Sequence, residues 1–156
     1  VNAALLLLFF ALDTNPRQAP PAPPKALTAC TVVTRVDVEM ALGRKFVRSA
    51  DETSNGSSTC DYSAAGAQVT VTMQHLGAPP DLAQEKRSLL AEFPGSSVRE
   101  TQMPGAAAFF VDMPDAGTLL YVLRGGRDYV MVAILGCGAP AAVSPAALKL
   151  ARVALR

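Results

Sequence analysis

The sequence predicts an α+β domain, a single antiparallel sheet of about five to seven strands packed with three short helices. Three observations carry this. Apolar residues recur at helical spacing in three stretches and with period two between them, in the order helix, strands, helix, strands, helix. The later strand-like runs are separated only by short turn signals, so neighbours pair antiparallel, because parallel pairing needs a long crossover. A chain of 156 residues, 50% hydrophobic and 17% charged, has the size and composition of one globular core.

The first twenty-seven residues read as lying outside that core. Ala3 to Leu12 is ten residues without a charge. As a helix it would rise only about 15 Å, half a hydrocarbon layer. The run suits the apolar region of a secretory signal, and the small residues Ala19 and Ala22 follow. No basic residue precedes it, so Val1 reads as a non-methionine start or as the edge of a longer chain. Pro16 to Pro24 holds five of the twelve prolines, the composition of an extended linker. The expected organisation is a signal-peptide-like segment over 1–15, a proline-rich linker over 16–27 and one domain over 28–156. Leu27-Thr28-Ala29-Cys30 has the residue order of a bacterial lipoprotein cleavage site. The apolar run ends far upstream of Cys30, so the match is read as accidental.

Within the domain, Thr34 and Asp37 have capping-box spacing, and a short helix runs to Leu42, stopped by Gly43. Phe46 and Val47 suggest a brief strand. Asp51 to Ser58 is polar throughout and reads as a surface loop, with Asn55-Gly56-Ser57 as turn chemistry rather than a glycosylation acceptor. Cys60 and Tyr62 share one strand face. After a turn at Ala65-Gly66, Gln68 to Gln74 alternates polar and apolar, with Val69, Val71 and Met73 inward.

Asp81 is the expected N-cap of a second helix, with Leu82, Leu89, Leu90 and Phe93 as its apolar stripe and Pro94-Gly95 as its end. Strands are expected near 98–103, 107–113, 118–124 and 129–135 as a meander, separated by Pro104-Gly105, Pro114 to Gly117 and Gly125 to Asp128. Ser144 is expected to cap a last helix with Pro145 at its first position, and Lys149, Arg152 and Arg156 form a solvated basic face.

Fourteen basic and thirteen acidic residues nearly balance. Removing residues 1–25 takes Arg17, Lys25 and Asp13, leaving twelve of each. A neutral domain without Trp has no electrostatic or stacking basis for nucleic acid, which is therefore not an expected partner. Contact with a membrane is expected only through the N-terminal segment, if that is uncleaved or Cys30 is lipidated.

Three cysteines allow three single disulfides, and an export signal makes bonding the default. A Cys30 to Cys60 bond would close a loop of about thirty residues, contributing roughly 3 to 4 kcal/mol. Cys137, within Gly136-Cys137-Gly138, would then be free, buried or bonded to another chain. No Cys-x-x-Cys pair is present, so thioredoxin-like exchange lacks its motif.

Cys30 to Gly43 (CTVVTRVDVEMALG), Cys60-Asp61-Tyr62 with the alternating strand, Pro104 to Phe109 (PGAAAF) and the closing Ala-rich helix together carry a resemblance. The chain resembles a family of exported bacterial domains of unknown function, common as actinobacterial lipoproteins, over most of residues 28–156. That resemblance implies a bond between Cys30 and Cys60 and an α+β fold. It supplies no catalytic residues. Cys137 and the position of the lipoprotein-like motif depart from the family pattern.

His75 is the sole histidine, so a multi-histidine metal site is excluded and a Ser-His-Asp site would need it. Without a G-x-S-x-G motif it reads as a partly buried imidazole with a local hydrogen bond. Gly136 to Ala141 matches G-x-G-x-x-A, but fifteen residues remain after it, too few for a dinucleotide unit, so it reads as a strand-to-helix loop. Phosphate-loop and EF-hand patterns are lacking, and no cofactor is expected. The functional expectation is an exported, non-enzymatic binding or envelope-associated module, periplasmic, envelope-bound or secreted. Its partner would be a protein, an envelope component or a small ligand. The alternative is a hydrolase of unrecognised type using carboxylates or His75.

Overall fold

The computed structural model describes residues 28–156, so the expected signal segment and linker lie outside the described residues. The chain runs α1 (Ala29–Val32), α2 (Arg35–Leu42), β1 (Val47–Ser54), β2 (Ser57–Ala64), β3 (Ala67–His75), α3 (Leu82–Glu92), β4 (Ser97–Met103), β5 (Ala106–Met113), β6 (Gly117–Arg124), β7 (Asp128–Leu135) and α4 (Pro140–Ala154). All seven strands form one sheet in the order β1-β2-β3-β7-β6-β5-β4, antiparallel at every junction. The expected α+β class is therefore the observed one. Two meanders meet where β3 pairs with β7, with α3 as the connection between them.

One face of the sheet is closed. Cys60, Tyr62, Val69, Val71, Phe110, Leu120, Val122, Val132 and Ile134 project from it against α1, α2 and α4 and form the main core. The disulfide Cys30–Cys60, with Cα atoms 5.0 Å apart, ties α1 to β2 beneath that core. Ser58 Oγ accepts the Ala29 N–H at 2.8 Å, and the Tyr62 hydroxyl donates to the Val33 carbonyl. Tyr62 is fully buried, and burial pushes its phenol up to about 12, with smaller opposing and reinforcing effects of Arg48, Asp37 and Asp51. Cys30 thus sits in an additional four-residue helical turn ahead of the helix expected from Thr34 to Leu42. Its sulfur is committed to Cys60.

The opposite face is half covered. Leu89 of α3 packs on Phe109, Val111, Leu119 and Ala133, with Leu82, Phe93, Val98 and Tyr121 around them. Over β1 to β3 the same face is polar. There Thr59 pairs with Thr72 at 3.1 Å, and Thr70 donates to Asp61 at 2.5 Å.

Four expectations are corrected. Asp51 to Ser58 is not a loop: β1 and β2 form a hairpin turning on Asn55 (φ 49°) and Gly56 (φ 77°). A ladder needs backbone pairing and not burial, and positive φ at both turn positions is the geometry that Asn-Gly favours. The last helix starts at Pro140, with Ala139 as N-cap, so Ser144 and Pro145 lie inside it. Pro145 removes one bond to the Ala141 carbonyl. Burial of Val143, Ala146, Ala147, Leu150, Ala151 and Ala154 outweighs that loss. Leu90 is 39% exposed, because Leu82, Leu89 and Phe93 repeat at i, i+7 and i+11 and Leu90 falls one residue off that line. His75, treated below, is exposed rather than partly buried.

The caps expected at Thr34 and Asp81 hold. Thr34 Oγ1 accepts from Asp37 N, and Asp37 reaches back to Thr34 N at 2.8 Å. Asp81 caps α3 through the N–H groups of Ala83 and Gln84. No helix among the described residues is long and apolar enough to cross a membrane.

Candidate functional site

The half-covered face leaves a cleft of about 210 Å³ at the end of α3 nearer β7. Its floor is strand side chains. Phe109 on β5 is directly opposite Tyr121 on β6, and the two rings stack with centroids 5.1 Å apart and planes 17° apart. Tyr129 on β7 is tilted against Tyr121, also at 5.1 Å. Ala107, Leu123 and Gln74 complete the floor, and Leu76, Pro80, Leu82 and Glu85 form the wall.

Local sequence explains the wall. Leu76 N donates to the Arg127 carbonyl at 2.8 Å, anchoring the segment after β3 to the β6–β7 turn. Pro79 and Pro80 then stiffen the approach to the Asp81 cap. Glu85 is three residues after Leu82 and four before Leu89, so helical geometry points it to the side of α3 that faces the sheet. Its Oε1 accepts from the Tyr121 hydroxyl at 3.1 Å.

Burial raises the Tyr121 phenol above its ordinary range, and the Glu85 carboxylate adds to this while hydrogen bonding with Tyr129 opposes it. Tyr129 is raised further, chiefly by burial and then by Tyr121. Both phenols are therefore protonated at neutral pH. At the β4 side of the row, the Lys86 ammonium stands 4.9 Å from the Phe109 centroid and pairs with Glu100 at 2.5 Å. The site is an aromatic and aliphatic slot with one carboxylate and two neutral hydroxyls in its wall and floor.

His75 lies elsewhere, at the last residue of β3 on the closed side of the sheet. Its Nδ1 is 2.9 Å from Asp128 Oδ1, and Arg124 reaches Asp128 Oδ2 at 3.3 Å. The ring is 69% exposed because β3 runs past the cover of the helices. Arg124 also donates to the Leu155 carbonyl, so the trio holds the end of α4 to the sheet. His75 makes no hydrogen bond with a serine, threonine or cysteine hydroxyl or thiol among the described residues.

Asp112, on the same side, is likewise used structurally. Asp112 receives Arg99 at 2.7 and 3.1 Å and Thr118 at 2.7 Å, while Arg99 also donates to Ser144 Oγ. No group of three or more His, Cys, Asp or Glu side chains among the described residues could hold a metal ion.

Cys137 is free and half-buried; burial pushes its thiol up, opposed by the nearby Arg44. The loop holding it joins β7 to α4, as its glycines suggested. Gly136 is there for a steric reason: a Cβ would come within 1.9 Å of the Gly66 carbonyl oxygen.

None of the cleft residues was singled out from sequence as a binding residue; Leu82 was expected only in the apolar stripe of its helix and Phe109 only in the PGAAAF motif. The available signal was the uninterrupted apolar runs Phe109-Phe110-Val111 and Leu119-Leu120-Tyr121-Val122-Leu123. Runs that break period two mark strands buried on both faces, and hence a second layer over β5 and β6. Comparison with known proteins returned no match to a family model, to a curated protein or to a solved structure.

Proposed function

We propose that this domain is an exported, non-enzymatic binding module, and that its site is the cleft between α3 and strands β5 to β7. The observation that carries the reading is the row Phe109, Tyr121 and Tyr129, in which Phe109 is buried and the two tyrosines stay partly open to solvent beside a helix that covers only half of its sheet face. Aromatic and aliphatic linings with a few placed polar groups are what small-ligand sites are made of. At about 210 Å³ the cleft lies below the roughly 300 Å³ at which drug-sized pockets begin, so the ligand is small or inserts one end. The Cys30–Cys60 bond supports an oxidising compartment, since such bonds persist outside the reducing cytosol. The signal-like Ala3 to Leu12 run and the family resemblance support, with that bond, an envelope or extracytoplasmic location.

Trp is absent and two of the three tyrosines line the cleft, so tyrosine emission reports on it directly. Titration with 1-octanol is expected to change that emission saturably. Ala107→Trp, at an exposed floor position, is expected to fill the cleft and abolish the response, read by calorimetry because the new indole masks tyrosine. Equal binding by both proteins, or none by the wild type, would remove the cleft from consideration.

A further inference from the structure

The charge distribution of the cleft goes further than its shape. We infer that its ligand is an organic cation, an ammonium group carried on a short apolar body, and this rests on the cleft being the binding site. The side chains lining it include one carboxylate, Glu85, and no lysine, arginine or histidine. Glu85 Oε1 takes the Tyr121 hydroxyl, whereas Oε2 has no hydrogen-bond or ion-pair partner among the described residues. A half-buried carboxylate with a free oxygen, facing three aromatic rings, favours a positive group that can use both the charge and the ring faces.

The protein already makes this kind of contact at the other end of the row. Lys86, one residue along α3, places its ammonium over Phe109 and closes the arrangement with Glu100. In the cleft, the equivalent parts are Tyr121 and Tyr129 for the rings and Glu85 for the carboxylate, and the described residues supply no cation between them. Lys86 does not offset Glu85, since Glu100 neutralises it at 2.5 Å. Arg124 and His75 project from the closed face and are engaged by Asp128.

The test compares three probes of equal chain length on the full domain: octyltrimethylammonium, 1-octanol and octanoate, each followed by tyrosine emission and by calorimetry. The ammonium probe is expected to bind at least about tenfold more tightly than octanol, with octanoate weakest. Glu85→Gln is expected to remove the preference, so that within that variant the ammonium probe and octanol bind equally tightly. Tyr121→Phe, which keeps the ring and frees Oε1, is expected to retain the preference. Octanol binding as tightly as the ammonium probe in the wild type, or a preference that survives Glu85→Gln, overturns the cationic ligand and leaves the cleft as a neutral site. Failure of all three probes removes the cleft reading and this one together. Should Glu85→Gln unfold, the wild-type ranking of the three probes decides alone.

Discussion

The two faces of the sheet are built on opposite terms. On the closed face, α1, α2 and α4 cover the strands from β2 to β6, and most side chains there are below a tenth exposed. Buried polar side chains among the described residues all have partners: on that side Ser58 holds Ala29, Tyr62 holds Val33, and Arg99 joins Asp112 and Ser144. On the other face one eleven-residue helix packs on Phe109, Val111, Leu119 and Ala133 and leaves Tyr121 and Tyr129 partly exposed. Cover that is complete leaves no room for a ligand, and cover that is partial leaves wet aromatic surface. On the proposed reading, the closed face carries stability and the half-covered face carries recognition.

The largest expected effect tests the stability side. Phe110 is 1% exposed, its ring under the Arg99 guanidinium at 4.3 Å. Phe110→Ala should cost about 3 to 5 kcal/mol, near the limit of what a domain of this size tolerates. Leu89→Ala, its counterpart beneath α3, should cost nearer 2 kcal/mol because the space it leaves opens toward solvent. Urea unfolding of both variants measures the difference, and equal losses would break the assignment of stability to the closed face.

The disulfide comes next. Cys30 and Cys60 are 30 residues apart, and replacing both by Ser should cost about 3 to 4 kcal/mol through the freed loop. The same loss should appear when the wild type is reduced, and reduction should then do nothing further to the double variant. A double variant as stable as the oxidised wild type would mean that α1 is held by Ser58 and Tyr62 rather than by the covalent bond. Octanol binding, read by tyrosine emission under conditions where the variant stays folded, should be unchanged, because the cleft and the bond lie on opposite faces.

Legibility in the sequence followed the same division. Strands β4 to β7 and helix α3 were readable to within a residue or two, since Pro104-Gly105, Gly125-Gly126 and the Asp81 cap punctuate them locally. The polar β1–β2 hairpin was missed because its stability comes from backbone pairing at a sheet edge, which leaves no hydrophobic pattern. The start of α4 was missed because Ser144-Pro145 imitates an N-terminus, although Pro140 after Ala139 fits that role equally well. Arg99 explains Ser144 instead: the hydroxyl donates to the Pro140 carbonyl at 2.7 Å and accepts the guanidinium from an edge strand forty-five residues earlier. The cleft was illegible for a similar reason. Gln74, Glu85, Phe109, Tyr121 and Tyr129 meet only once three strand registers and one helix position are fixed, and no spacing along the chain encodes that meeting.

The smallest expected effect lies at the start of α2, on the closed side, where even an exposed cap is tied into the fold. Burial is the largest single influence on the Asp37 carboxyl and raises it, but hydrogen bonds from the Thr34 hydroxyl at 2.6 Å and Thr34 N at 2.8 Å, with the Arg156 and Lys149 charges, together outweigh it and bring the group below 3.8. A carboxyl lowered by folding stabilises the native state above its unfolded value, and that contribution fades as pH falls through the lowered folded value. Asp37→Asn keeps an acceptor and removes the charge. Because the site is largely solvated, the variant should lose on the order of 0.5 kcal/mol at pH 7. The gap to wild type should narrow below about pH 4 and close as the wild-type carboxyl protonates. Urea midpoints for both proteins at pH 7 and pH 3 measure this. A gap of the same size at both values would show that geometry alone, and not the charge facing α4, makes Asp37 matter.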